Sequence, residues 1–282
     1  MNPRAVLELV FLAAIWGASF LFMRVLAPLV GAVATADFRM LIGGLFLGAV
    51  FLILRFDPGL RKNFRIFLLV GLVNSALPFL LYSWAALTVP ASVEVVFNAL
   101  SPAFGAAAAA LFLGEPFGIR KIGGLILGFV GVVFVSGGFS GSGFQFWASL
   151  GACILAPVSY AVGGVMVKRW AGGIPPRSLA FGSQFLAGLA LLPLLLLYPP
   201  RHPDAGTTGL LILFGVLCSG LAYLFYYRLM QKIGPTKTLT VTYLMPVFGI
   251  LWGALFLGEP ITFPLIVGTV VILAGTALVS FR

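Results

Sequence analysis

The chain has 282 residues, 61% of them hydrophobic and 9% charged, with a formal net charge of +10 and a mean hydropathy of +1.14. So little polar material cannot cover a water-soluble surface, since soluble domains run nearer a quarter charged, so the solvent for most of this chain is lipid. The positive charge does not point to nucleic acid, because its carriers sit in short loops between apolar runs and build no basic face.

A membrane span needs about 20 apolar residues, and on that rule the chain divides into ten predicted helices. The first, near 5–26, is too long for the core of a signal peptide and has no small-residue cleavage site after it. The second, near 33–54, holds Asp37 and Arg39 in its outer part. The third and fourth, near 64–87 and 91–113, carry Asn74, Ser75 and Tyr82, then Glu94, Asn98 and Ser101. The fifth, near 118–136, has glycines and almost nothing polar at its centre. A flexible-looking glycine-rich joint at 137–143 follows. Beyond it come 145–168 with Ser159 and Tyr160, 178–197 with Ser183 and Gln184, and 207–231 with Ser219, Tyr223 and Tyr226. The last two are 235–257, with Thr242 and Tyr243, and the glycine-bearing 261–281. Cys153 and Cys218 fall inside apolar runs and read as small buried hydrophobes.

With loops assigned alternately to two sides, the side of the N-terminus collects fourteen of the seventeen Lys and Arg residues, Arg282 among them, and the exceptions are Arg24, Arg39 and Arg201. By the positive-inside rule both termini are then cytoplasmic.

The string ALFLGEP occurs at Ala110–Pro116 and again at Ala254–Pro260, an offset of 144 residues. The same offset, without a gap, pairs Gly71 with Gly215, Ser75 with Ser219, Tyr82 with Tyr226, Pro102 with Pro246 and Gly131 with Gly275. The chain therefore reads as two five-span units, 1–138 and 144–282. Five is odd, so the second unit is expected upside down, and the charges agree: Arg120-Lys121 after the first copy become Pro264-Leu265 after the second. Inverted repeats of this kind are a mark of secondary transporters that hold substrate near the midplane. In each Gly-Glu-Pro, glycine is expected to end a helix in the left-handed conformation. Proline should open the next helix, with glutamate offsetting its positive end at the water interface.

The duplicated unit, Trp16-Gly17 in the first span, Arg39 in the second and the paired LGEP turns resemble the EamA branch of the drug/metabolite transporter superfamily. Within it the chain is similar to the YddG-type exporters of aromatic amino acids and related metabolites. That resemblance implies an all-α membrane fold of ten helices and outward movement of small metabolites.

Polar residues at midplane are costly in lipid and face protein or a cavity. On this ground spans 1, 3, 4, 6, 8 and 9 are expected to wall a cavity, with spans 5 and 10 as scaffold and spans 2 and 7 undecided. The candidate substrate-binding residues are Trp16, Asn74, Tyr82, Asn98, Ser101, Tyr160, Tyr226, Thr242 and Tyr243. Pro78, Pro102 and Pro246 should free the carbonyls of Asn74, Asn98 and Thr242, acceptors suited to an ammonium group; bending for packing, with hydroxyls satisfying those carbonyls, is the plainer alternative. Arg39 and Glu94 are expected to form a structural ion pair, with an outer gate or a proton site at Glu94 as the weaker reading. The set suits an amino acid, aromatic or otherwise neutral, better than a phosphate. A facilitative pore, or a carrier for another metabolite or drug, is the alternative.

The only histidine, His202, stands in a loop, no HExxH or cysteine–histidine set appears, and no GxxxxGK[ST] is present. The reading is thus a transporter and not an enzyme, without metal, catalytic residues or cofactor. A bacterial inner-membrane location, a lipid bilayer as surroundings and a monomer as the working state complete the expectation.

Overall fold

Apolar runs of these lengths satisfy their backbone internally only as helices, and the computed structural model, which describes residues 3–137 and 143–280, contains helices and no strands among those residues. They are α1 (Pro3–Val30), α2 (Ala32–Ile53), α3 (Phe64–Ala85), α4 (Ala91–Leu113), α5 (Ile119–Gly137), α6 (Phe144–Trp170), α7 (Pro176–Leu197), α8 (Ala205–Ile233), α9 (Val241–Leu257) and α10 (Phe263–Ser280). Nine are long and apolar enough to cross a membrane; α9 is a shorter apolar helix. Most of the predicted joint at 137–143 and Arg282 lie outside the described residues.

The ninth segment departs from expectation. A single turn, Pro235–Thr238, precedes α9, and the helix proper starts at Val241. Thr238 and Thr240 donate their hydroxyls to Gly234 O and Lys237 O, and such local bonds compete with helix continuation. In the first unit the corresponding break falls later, at Ala99-Leu100 inside α4.

Both third helices of the two units contain a widened π turn, Leu72–Ala76 in α3 and Gly215–Leu221 in α8. Side chains from neighbouring helices reach carbonyls there. Ser159 Oγ donates to Val73 O at 2.5 Å, Trp16 Nε1 to Cys218 O at 3.2 Å, and Gln184 Nε2 to Ser219 O at 3.2 Å. Ser159, Trp16 and Gln184 thereby join α6, α1 and α7 to these turns instead of facing lipid.

Small residues set the closest approaches. A Cβ on Gly124 would stand 2.5 Å from Gly275 O, and one on Gly131 2.8 Å from Gly268 O. The expected scaffold pair α5 and α10 is thus packed backbone to backbone. A Cβ on Gly43 would stand 2.4 Å from Ser219 Cβ, so α2 lies directly on the π turn of α8.

The Gly-Glu-Pro turns are partly as expected. Gly114 (φ 69°) and Gly258 (φ 65°) end α4 and α9 in the left-handed conformation. Pro116 and Pro260, however, lie in the connections ahead of α5 and α10 and not in a first turn. A residue before proline is held away from the helical region, so each glutamate is directed out of its own turn. Glu115 pairs with Lys168 at the end of α6. Glu259 reaches a different helix start altogether: its Oε1 and Oε2 accept from the amides of Ala91 and Ser92 at 2.8 and 2.9 Å, capping α4.

Candidate functional site

Where α1, α2, α3, α4, α6 and α8 meet the start of α9, polar side chains converge on a cavity of about 300 Å³. Trp16, Asn74, Tyr82, Asn98, Ser101, Tyr160, Tyr226 and Thr242 line it, eight of the nine candidates. Tyr243 does not. Its neighbour on α9 faces the cavity, and successive helical residues point about 100° apart, so Tyr243 turns to α10 and donates to Thr276 O at 3.2 Å. Neither α5 nor α10 contributes to the wall.

One rim of the wall is pre-bonded. Tyr82 OH donates to Asn98 Oδ1 at 3.2 Å, and Ser101 Oγ donates to Asn98 O at 2.6 Å. The carbonyl freed by Pro102 is therefore already occupied by a hydroxyl, as the plainer alternative had it. Pro246 lies inside α9, and Pro78 follows the π turn of α3. By contrast, among the described residues the side-chain amide of Asn74 and the hydroxyls of Tyr160, Tyr223 and Tyr226 have no protein hydrogen-bond partner. They are free to meet a solute. Trp16 packs edge-on against Tyr223 at 5.8 Å between centroids and tilted against Tyr226 at 5.3 Å, an apolar surface with polar rims.

The expected Arg39–Glu94 pair is not formed. Arg39 lines the cavity, where its Nε donates to Ser219 Oγ at 3.0 Å and its Nη2 to Ser19 Oγ at 3.4 Å. Glu94 is fully buried in Ala91–Asn98 with neither carboxylate oxygen hydrogen-bonded. The close approach of α2 to α8 at Gly43 points Arg39 at Ser219, away from Glu94. Arg39, Ser19 and Tyr223 are thus wall residues absent from the sequence-derived site. The glycine pair Gly43-Gly44 beside Arg39 is the signal that α2 approaches other helices closely enough to enter the wall.

The two ends of the cavity differ. All eight residues of Ala91–Asn98 are buried, so the end toward that segment is packed shut. At the other end Lys237 and Leu239 are exposed, and Leu239 lies on the rim. Larger clefts lie around Arg61, Lys62 and Arg65 (about 710 Å³), between α2, α3 and the end of α7 (about 670 Å³), and between α2 and α7 beside Phe51 and Phe181 (about 420 Å³).

Compared with known proteins, the chain matches the EamA-like transporter family at residues 4–137 and again at 147–281. It belongs to that family. The double match accounts for the duplicated ALFLGEP, and the EamA assignment agrees with a multi-pass membrane protein. Among EamA-type relatives, the uncharacterized transporter YvbV of Bacillus subtilis is 27% identical over 100% of this chain and 93% of its own length. A probable terminal-alkyne amino-acid exporter of Streptantibioticus cattleyicolor is 24% identical, covering 99% of this chain and 94% of that one. A solved crystal structure superposes with a TM-score of 0.71 at 18% identity over 99% of this chain and 96% of the other, a likeness of fold.

Proposed function

We propose that this EamA-family protein is a secondary transporter exporting small metabolites, foremost aromatic or other neutral amino acids, across a bacterial inner membrane by alternating access. Ten helices span the bilayer with both termini cytoplasmic, and the units 1–138 and 144–282 enter it in opposite senses. The observation that carries the reading is the central cavity: about 300 Å³, walled by Trp16, Tyr160, Tyr223 and Tyr226, with the Asn74 amide unengaged. That volume lies at the small end of ligand sites and suits a solute with one apolar side chain and a few polar atoms. The packed end at Ala91–Asn98 and the open rim at Leu239 support a resting state open toward the side of the termini, from which an exporter loads. The amino-acid exporter among the relatives supports the substrate class.

Purified protein in liposomes tests this. A carrier gives saturable uptake and counterflow in a screen over amino acids, whereas a facilitative pore gives neither, and absence of counterflow for every amino acid would overturn the proposal. Asn98→Leu and Thr242→Leu fill the cavity and should abolish exchange without loss of membrane insertion, while Ser136→Leu on α5, away from the wall, should be mild.

A further inference from the structure

Arg39 is 4% exposed and lies in the wall of the cavity. Its guanidinium carbon stands over two rings, 3.8 Å from the centroid of Phe79 and 4.9 Å from that of Phe214. Besides Ser219 and Ser19 its third neighbour is Met23 Sδ at 3.9 Å, a weak acceptor. Guanidinium has five N–H donors and keeps its charge in proteins, so three neutral contacts leave both its charge and part of its donor set unanswered.

No acidic side chain answers them. The chain has seven Asp and Glu residues, and none forms an ion pair with Arg39. Glu8 pairs with Lys232 and Arg228, and Glu115 with Lys168. Asp57 accepts from Gly59 N, Asp204 from Thr207 N, and Glu259 from Ala91 and Ser92. Asp37 and Glu94 are buried with no hydrogen-bond partner at either oxygen, so neither touches Arg39. A buried cation without a counter-ion is among the costliest arrangements a protein can hold. Here it persists beside an opening large enough for a solute.

We propose that Arg39 is the subsite for a carboxylate on the transported solute, so that the cavity selects acids and zwitterions over the corresponding amines; this rests on reading the cavity as the transport site. A planar carboxylate accepts two parallel N–H bonds from a guanidinium, and the rings of Phe79 and Phe214 hold the guanidinium in the wall. A single arginine in the wall balances one negative charge, which favours a monocarboxylate over a phosphate dianion. Asn74 Oδ1 and the free tyrosine hydroxyls are left for an ammonium group, and the Trp16–Tyr223–Tyr226 surface for the side chain. Ser219 acts as a positioning residue through its bond to Nε. A neutral amino acid thereby brings the missing anion, whereas its decarboxylated amine adds a second uncompensated cation.

The test uses the wild-type protein first, so that no variant has to fold. In liposomes loaded with whichever amino acid shows the strongest counterflow, matched competitors are compared: that amino acid, its decarboxylated amine, its carboxamide, and the acid lacking the amino group. The amine and carboxamide should compete at least about 100-fold more weakly than the amino acid, because they leave the buried guanidinium unpaired, and the acid should retain competition. Arg39→Gln should lose exchange by a similar factor, with Arg39→Lys intermediate because it keeps charge but not the fork. An amine or carboxamide that competes as well as the amino acid overturns the carboxylate subsite while leaving the carrier intact. Should no amino acid exchange at all, the carrier reading falls. The subsite is then judged on purified protein by ligand-induced thermal stabilisation with the same acids and amines, where an equal response to both, or one retained in Arg39→Gln, overturns it.

Discussion

Glu259 ties the turn after α9 to the first residues of α4, and so joins the two units at the packed end of the cavity. Removing its carboxylate, as in Glu259→Ala, leaves the amides of Ala91 and Ser92 without acceptors at a helix start. Bonds to a charged acceptor contribute about 1.5–3 kcal/mol each when buried, and cap deletions cost about 0.5–2 kcal/mol. The site is half-buried, so about 2 kcal/mol for the pair is a fair value after solvent screening. Because the bonds cross between units, their loss falls mainly on the equilibrium between a packed and an opened end. Two kcal/mol is roughly a 30-fold change in that population. Ser92→Cys is a close-sized reporter, since Ser92 is 1% exposed and its hydroxyl has no partner; Cys153 and Cys218 are first replaced by Ala. Thiol modification of residue 92 should accelerate roughly 30-fold in the Glu259→Ala background, in proportion to the opened population. Gly253→Ala should act in the same direction with no change of charge, because its Cβ would stand 2.5 Å from Glu259 Oε2. Unchanged labelling in both backgrounds would refute the assignment of this carboxylate as the latch of that end.

Gly131→Leu should lower thermal stability by at least about 1–3 kcal/mol through overpacking, since even a Cβ there would meet Ile272 Cγ1 at 2.6 Å; an unshifted melting transition would contradict the close α5–α10 packing. Tyr243→Phe removes a hydroxyl that faces α10, so counterflow should persist with a stability loss of about 1 kcal/mol, and loss of exchange with normal stability would put Tyr243 back in the site. At the loop after α4, the hydrogen bond and charge of Lys168 hold the Glu115 carboxyl below its usual range. A carboxylate with a lowered folded value stabilises above its unfolded value and loses that contribution as pH falls through the folded one. The stability difference between wild type and Glu115→Gln should therefore be flat near neutrality and vanish in acid; it should also be small and salt-sensitive, because both partners are solvent-exposed.

Much of this protein was legible in its sequence because lipid imposes simple rules on composition. A span must be apolar, about 20 residues long and internally hydrogen-bonded, which is why the helix positions hold to within a few residues everywhere except at 235–241. Duplication was equally legible, since ALFLGEP and its 144-residue offset need no geometry, and Trp16, Asn74, Asn98 and Tyr160, polar groups inside apolar runs, declared a shared destination because lipid disfavours them. What only the tertiary structure decided is which partner each polar group takes. Arg39 faces Ser19 and Ser219 instead of Glu94, Tyr243 turns to α10 while Thr242 enters the cavity, and Glu259 caps α4 instead of α10. Each outcome depends on how segments far apart in the chain approach one another, and close approaches of that kind are made at glycines such as Gly43 and Gly131, whose contacts lie across the bundle and leave no periodic trace along the sequence.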